Sequence, residues 1–190
     1  ECVSLNSEVT CGEGTVWDPV NEECVTSLTC EVSITQSSLI SSPGTCGMVT
    51  PEDGWKDNGM TLGMWIQTED PGRGYILMEG NNGWQDDFGI ALQMIDGYIE
   101  FDVNAVNRGL TETYIADGNW HAIHIVNEGD AALLYIDGLL QQEATLSEGL
   151  DLNEWPILIG TKTLDCSTDD GSGSVFEGAL SRLALWSRPL

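Results

Sequence analysis

The sequence predicts an all-β protein, folded as an antiparallel sandwich of two β-sheets. From about residue 31 onward, short apolar and β-branched runs alternate with clusters of Gly, Asp and Asn, a pattern typical of strands joined by turns. The dipeptides Asp96-Gly97 and Asp137-Gly138 each lie between two such runs, where tight hairpins need positive φ angles. Residues 120–126 are largely apolar on both faces, as expected of a strand within a two-layer sandwich.

The predicted elements follow from these runs in chain order, and helical periodicity is hard to find anywhere in the sequence. The predicted strands cover residues 32–40, 44–49, 60–68, 74–79, 88–95, 98–103, 112–115, 120–127, 131–136, 139–144, 157–160 and 176–187. The run 165–174 is rich in Asp, Ser, Thr and Gly and is predicted to be a loop.

The sequence contains two histidines, His121 and His124, three positions apart in one predicted strand. Side chains alternate along a strand, so these two face opposite ways and cannot jointly bind one metal ion. We expect each to be a packed or hydrogen-bonded strand residue. Trp65, Trp120 and Trp186 lie within strand patterns, and we expect them in the core.

The charge balance is extreme, with 31 acidic against 6 basic residues and a net charge of −25. Phosphate binding needs a basic surface, so nucleic acid is a poor partner, and an anionic membrane surface is disfavoured for the same reason. No apolar run approaches the length of a membrane-spanning helix, so no membrane insertion is expected. Calcium, basic proteins or a screening salt medium suit such a chain.

Six cysteines are present, and four of them lie within the first thirty residues. Their spacing fits no standard zinc finger, so we expect disulfides and an oxidising, secreted or cell-surface location. Residues 1–30 are too few for a core of their own and form a small disulfide-stapled module, followed by the sandwich at 31–190. Within the module, residues 15–25 read as a hairpin that a Cys11–Cys24 bridge would close, leaving Cys2 to pair with Cys30. Other pairings stay open, because six cysteines allow 15 of them.

Five segments in order resemble the laminin G, pentraxin and concanavalin A-like jelly rolls. They are Thr61-Leu62-Gly63-Met64-Trp65-Ile66, the predicted hairpin 88–101, the D-G-x-W-H…L-Y-x-D-G pattern of residues 117–138, Ile157-Leu158-Ile159-Gly160, and the closing segment 176–186. The resemblance implies a complete jelly-roll domain that binds ligands rather than transforming them, with calcium often held at the rim. It also implies that the first and last strands are neighbours, so Cys46 could bridge to Cys166.

The strand segment Glu100-Phe101-Asp102-Val103-Asn104 is the sharpest enzymatic candidate. Residues two apart share a face, so Glu100, Asp102 and Asn104 are expected to point the same way. The pattern resembles the E-x-D-x-E strand of concanavalin-like glycoside hydrolases, in which the last Glu is the acid/base. Here that position is Asn104, so we expect no catalysis. A polar strand face at the solvent side and a sugar-binding face without chemistry are the two remaining interpretations.

Two acidic loops are the candidate calcium sites, because hard cations prefer oxygen ligands on loops. The candidate metal ligands are Asp86 and Asp87 in one loop and Asp169 and Asp170 in the other; a solvated acidic loop is the alternative. Trp84, Asn81 and Asn82 precede the first pair and are candidate ligand contacts, since exposed Trp can stack on sugar rings.

We therefore expect a secreted or cell-surface recognition or adhesion domain without catalytic activity. The expected partner is a glycan or an extracellular protein, with calcium as structural support. The alternative is a self-assembling subunit of an extracellular filament, sheath or coat. A glycoside hydrolase-like enzyme is the third interpretation.

Overall fold

In the computed structural model, residues 46–50, 59–79, 89–146, 150, 156–163 and 175–190 are described in full, and four short strands before residue 42 by their backbone alone. Among these residues no helix is long and apolar enough to cross a membrane. The strands are β1 (Thr15–Asp18), β2 (Glu23–Thr26), β3 (Val32–Ser33), β4 (Leu39–Ser41), β5 (Gly47–Val49), β6 (Met60–Gln67), β7 (Gly74–Glu79), β8 (Ile90–Ile95), β9 (Tyr98–Val103), β10 (Val106–Leu110), β11 (Trp120–Glu128), β12 (Ala131–Ile136), β13 (Leu139–Thr145), β14 (Ile157–Ile159) and β15 (Gly178–Trp186).

Strands β3 to β15 form the two antiparallel sheets of a jelly-roll sandwich, which confirms the predicted fold class. The six-stranded sheet has the order β10-β9-β8-β7-β14-β5. The seven-stranded sheet has the order β13-β12-β11-β6-β15-β3, and β4 also pairs with β15. β3 and β4 lie beside the last strand, so the predicted pairing of the first and last sandwich strands is confirmed.

Alternate residues of the central strands build one core between the sheets. On β6, Leu62, Met64 and Ile66 are buried there, and on β9 Ile99 and Phe101 pack against them from the other layer. This period of two is the expected consequence of strand geometry, and it assigns every intervening residue to an outer face.

Both predicted Asp-Gly hairpins are confirmed. Asp96 and Gly97 have φ angles of 52° and 83°, and Asp137 and Gly138 have 52° and 79°. Two successive positive φ angles match the twist of the flanking strands, which joins β8 to β9 and β12 to β13 in close register.

The predicted strand at 112–115 is wrong, and the strand that follows β9 and pairs with its outer edge is β10, which the sequence did not reveal. Asn104 and Ala105 turn the chain back with φ angles of 50° and 56°. β10 is an edge strand with largely exposed side chains, so it carries no apolar alternation that would identify it.

The predicted core position of Trp65 and Trp120 is also wrong. Each side chain is 39% exposed, because the alternation of β6 and β11 assigns its neighbours to the core and its own position to the outer face. Trp186 is half-buried on the same outer face. His121 and His124 do face opposite sides of β11, as predicted.

In the N-terminal part, β1 pairs with β2 in antiparallel register at the position of the predicted hairpin, with Trp17 opposite Cys24. Cys46 is disulfide-bonded, and its partner lies outside the described residues. The Cys46–Cys166 pairing and the pairings of Cys2, Cys11, Cys24 and Cys30 therefore stay predictions.

Candidate functional site

The outer face of the six-stranded sheet carries the described part of the predicted ligand site. Ile99, Phe101 and Val103 of β9 point into the core, so Glu100 and Asp102 both face outward. Across the strand pairs, Glu100 lies opposite Gln93 of β8, while Asp102 lies between Ala91 of β8 and Asn107 of β10. Two carboxyl groups and two amide side chains are thereby brought to one surface.

The two carboxyl groups differ sharply in their surroundings. Glu100 is half-buried, whereas Asp102 is 2% exposed and its Oδ2 atom is buried without a hydrogen-bond partner among the described residues. Burial and, to a smaller extent, the negative charge of Glu100 raise the pKa of Asp102 to about 6, although a hydrogen bond from Asn107 opposes them. Asp102 therefore gains its charge only near neutral pH, at a free-energy cost to the fold.

Asn104 does not continue this face. β9 ends at Val103, and Asn104 lies in the tight turn to β10, where its backbone N–H donates to the carbonyl oxygen of Gly89 at 2.8 Å. Strand alternation therefore brings Glu100 and Asp102 together but not the third residue of the predicted set.

A tyrosine pair extends the same face beyond Glu100, and the sequence reasoning missed it. Tyr98 lies two residues before Glu100 on β9 and so shares its face. Its ring meets the ring of Tyr114 edge to face, with centroids 5.4 Å apart and an interplanar angle of 74°. Tyr114 is 42% exposed. Alternation along β9 could have identified Tyr98, but Tyr114 comes from a non-strand segment and has no comparable sequence signal.

This arrangement offers the kinds of groups that contact polyhydroxylated ligands. Carboxylate and amide groups accept and donate hydrogen bonds to hydroxyls, and an exposed tyrosine ring packs against apolar ring faces. Trp84, Asn81 and Asn82 lie outside the described residues, as do the proposed calcium ligands Asp86, Asp87, Asp169 and Asp170. Among the residues that are described, no three His, Cys, Asp or Glu side chains gather closely enough to hold a metal ion.

Comparison with known families matches residues 43–190 to the laminin G-like profile described as the concanavalin A-like lectin/glucanases superfamily. The chain belongs to this superfamily. The predicted resemblance is thus confirmed over most of the sequence. No curated protein matches the sequence.

Solved structures share the fold of this superfamily domain at low sequence identity. Domains LG4-5 of the mouse laminin α1 chain align with a TM-score of 0.59 and 16% identity, covering 85% of this chain and 44% of that one. The CBM40 of a Ruminococcus gnavus sialidase, bound to α2,3-sialyllactose, aligns with a TM-score of 0.62 and 11% identity, covering 85% and 94%.

A third match is a structure of botulinum neurotoxin type C, whose cell entry depends on interaction with two ganglioside molecules. It aligns with a TM-score of 0.55 and 15% identity, covering 80% of this chain and 39% of the other. This chain spans less than half of the length of the laminin and neurotoxin structures that it matches. At these identities the likeness establishes the fold.

At one end of the seven-stranded sheet of this superfamily domain, His121 lies between two carboxylates. Its Nδ1 atom is 2.7 Å from Asp137 Oδ2, and its Nε2 atom is 3.1 Å from Asp117 Oδ1. Burial lowers the pKa of His121, but the hydrogen bonds and charges of Asp137 and Asp117 outweigh it and raise the pKa above 6.5. Asp137 also accepts from the backbone N–H of Ala122 at 2.8 Å, so this cluster connects the Asp117-Gly118 segment before β11 to the Asp137-Gly138 turn after β12.

Proposed function

We propose that this chain is an extracellular recognition domain that binds a glycan on the outer face of its six-stranded sheet. The observation that carries the proposal is the shared face of Glu100, Asp102, Tyr98 and Tyr114, which combines hydrogen-bonding carboxyl groups with an exposed aromatic ring. Two proteins of the same fold support this class of ligand. One is bound to sialyllactose, and the other is a toxin whose cell entry depends on gangliosides.

Glu100 is the proposed hydroxyl acceptor of this site. It is half-buried, so its carboxylate stays in reach of a ligand while the neighbouring protein restricts its rotation. Asp102 lies beneath the surface, and its role is to fix Asn107 through their hydrogen bond. Tyr114 provides the apolar contact, held in place by its packing against Tyr98.

The proposed role is binding without glycoside hydrolysis. A hydrolase needs two carboxyl groups that flank the scissile bond, one of them able to deliver a proton. Asp102 has the raised pKa of a proton donor, but its carboxyl group is buried. In this chain, the position that corresponds to the acid/base of the hydrolase strand is occupied by Asn104, and Asn104 lies in a turn.

Calcium support of the glycan site is part of the proposal. It rests on the acidic loops that contain Asp86, Asp87, Asp169 and Asp170, on the net charge of −25, and on the preference of calcium for such oxygen donors. The cysteine content supports a secreted or cell-surface location.

A glycan array tests the proposal, run once with calcium and once with a chelator. Binding to a defined glycan class is expected, with an affinity that falls about tenfold in Glu100→Gln and Tyr114→Ala. Glu143→Gln is the matched control, because Glu143 is an exposed glutamate on the other sheet. Bound glycans recovered intact by mass spectrometry would agree with a non-catalytic role. A folded protein that binds no glycan would contradict the proposal and direct the search to self-assembly.

A further inference from the structure

The outer face of the seven-stranded sheet carries aromatic side chains where solvent-facing polar residues are the norm. We name Trp65, Trp120, Trp186 and His124 the aromatic strip. Trp65 and Trp120 are each 39% exposed, and Trp186 and His124 are half-buried. The strip lies on the sheet opposite the one that carries Glu100, so it is a separate surface.

Strand register makes the aromatic strip continuous. Trp120 of β11 lies opposite Gln67, and Trp65 lies opposite Ala122, so the two tryptophans are diagonal neighbours, about 7–8 Å apart at the backbone.

Farther along β6, Gly63 leaves room for the other two rings. A Cβ atom at that position would approach His124 Cδ2 to 3.0 Å and Trp186 Cζ3 to 3.2 Å. From Gly63 to Gln67 the strip extends about 14 Å, at about 3.4 Å for each strand residue.

The aromatic strip is free of acidic side chains, although the chain carries 31 of them. The outward residues of β6 and those paired with them on β11 and β15 are Thr61, Gly63, Trp65, Gln67, Trp120, Ala122, His124, Val126, Ala179, Ser181, Ala184 and Trp186. Burial lowers the pKa of His124, which keeps its ring neutral at physiological pH. The strip and the positions paired with it therefore carry no charged side chain on a strongly acidic protein, and the exposed Arg182 lies beside them in the irregular part of β15.

At the Trp120 end, the strip borders hydrogen-bonding groups. Asn119 and Asp117 are exposed there, and the Asn119 side-chain amide donates to Asp117 Oδ2 at 2.9 Å. A matching ligand needs a flat apolar face for the rings, polar groups at its edge and no net charge. A sugar ring has C–H groups on its faces and hydroxyls around its edge.

We propose that the aromatic strip binds a neutral polysaccharide, with successive sugar rings stacked on Trp65 and Trp120. The inference rests on the proposed role in glycan recognition for the class of ligand, and it adds a second binding surface. A second copy of the chain is a poor occupant, because two molecules of net charge −25 would be brought within a Debye length of each other. A basic partner would find no negative charge on the strip itself.

Native affinity electrophoresis suits the proposal, because the acidic protein migrates toward the anode while a neutral polymer in the gel does not move. The probes are galactomannan, hydroxyethyl cellulose and soluble starch. At least one of them is expected to retard the wild-type chain, with the dissociation constant rising about tenfold in Trp65→Ala and in Trp120→Ala. Trp120→Phe keeps an aromatic ring, so its dissociation constant is expected to rise less than that of Trp120→Ala.

Leu139→Ala is the control, since Leu139 is a 66% exposed apolar residue outside the strip. Thermal melts establish that each variant is folded. Retardation that is equal in wild type and both alanine variants would overturn the proposal, as would a folded wild type that none of the three polymers retards. A wild-type dimer that Trp120→Ala converts to monomers in sedimentation would also overturn it.

The two proposals fail separately. If the strip proposal alone is wrong, Glu100→Gln still weakens oligosaccharide binding on the array, whereas Trp65→Ala and Trp120→Ala change nothing. If the proposal for the six-stranded sheet alone is wrong, the polymers still retard the wild type, whereas Glu100→Gln leaves oligosaccharide binding on the array unchanged.

Discussion

Replacing Asp102 with Asn should change the stability of the protein in a way that depends on pH. Relative to the wild type, the variant should be less stable at acidic pH and more stable at alkaline pH. Asp102 is 2% exposed, and its pKa rises from the ordinary value of 3.8 to about 6. The folded protein therefore binds this proton more tightly than the unfolded chain does. As pH rises from the unfolded pKa through the folded one, the wild type loses stability, and above both values the loss is complete. Asparagine does not ionise in this pH range, so the variant does not lose stability in this way.

The magnitude follows from the shift of the pKa. About two pKa units correspond to about 3 kcal/mol, at about 1.4 kcal/mol for each unit. Against this, the asparagine amide placed near the position of Oδ2 lacks a hydrogen-bond acceptor, which costs about 1 kcal/mol at every pH. The variant is thus expected to be about 1 kcal/mol less stable than wild type at low pH and about 2 kcal/mol more stable at high pH.

Urea unfolding of both proteins, followed by tryptophan fluorescence between about pH 4 and pH 8, measures this difference. The other acidic residues are common to both proteins, so their contribution to the pH dependence cancels in the difference between the two free energies of unfolding. Glu100→Gln is the companion variant, because it removes the charge that helps to raise the Asp102 pKa and should reduce the pH dependence. A difference between Asp102→Asn and wild type that stays constant over the whole pH range would refute the reasoning.

Three further results are expected. In thermal melts, His121→Asn should destabilise the protein more at acidic than at alkaline pH. The pKa of His121 is raised above 6.5 in the folded protein, so its stabilisation is full below pH 6.5 and is lost as pH rises through the folded-state pKa. An equal loss of melting temperature at both pH extremes would contradict this. Gly138→Ala should lower the free energy of unfolding in urea by about 1 kcal/mol, since its φ is 79° and no atom lies within 4 Å of the added Cβ. Gly97→Ala should lower it clearly more, because its added Cβ would collide with the Tyr114 ring. Equal losses would be inconsistent with that packing. Added calcium should raise the melting temperature above that measured with a chelator, and identical melting temperatures would exclude the proposed calcium support.

Local sequence signals were sufficient for elements with strong patterns. The Asp-Gly hairpins need only their own two residues to set positive φ angles, and the opposite faces of His121 and His124 follow from alternation alone. The strand β10 lacked such a signal, because an edge strand with exposed side chains has no buried face to impose a pattern.

The candidate site was only partly predictable for a similar reason. Glu100 and Asp102 share a face by alternation, which a single strand determines. The packing of Tyr114 against Tyr98 depends on a non-strand segment returning to the sheet, and the His121–Asp137 contact joins residues of different strands. Neither is encoded within one short window of sequence.

By itself, the sequence determined the sandwich class, the main strands and the alternation that separates core from surface, because these depend on neighbouring residues and on turn chemistry. Only the tertiary structure decided which apolar residues were left uncovered and which acidic residues were buried. Trp65 and Asp102 both lie on outer faces of the sandwich, yet Trp65 is exposed and Asp102 is buried, because burial there depends on what packs over each face.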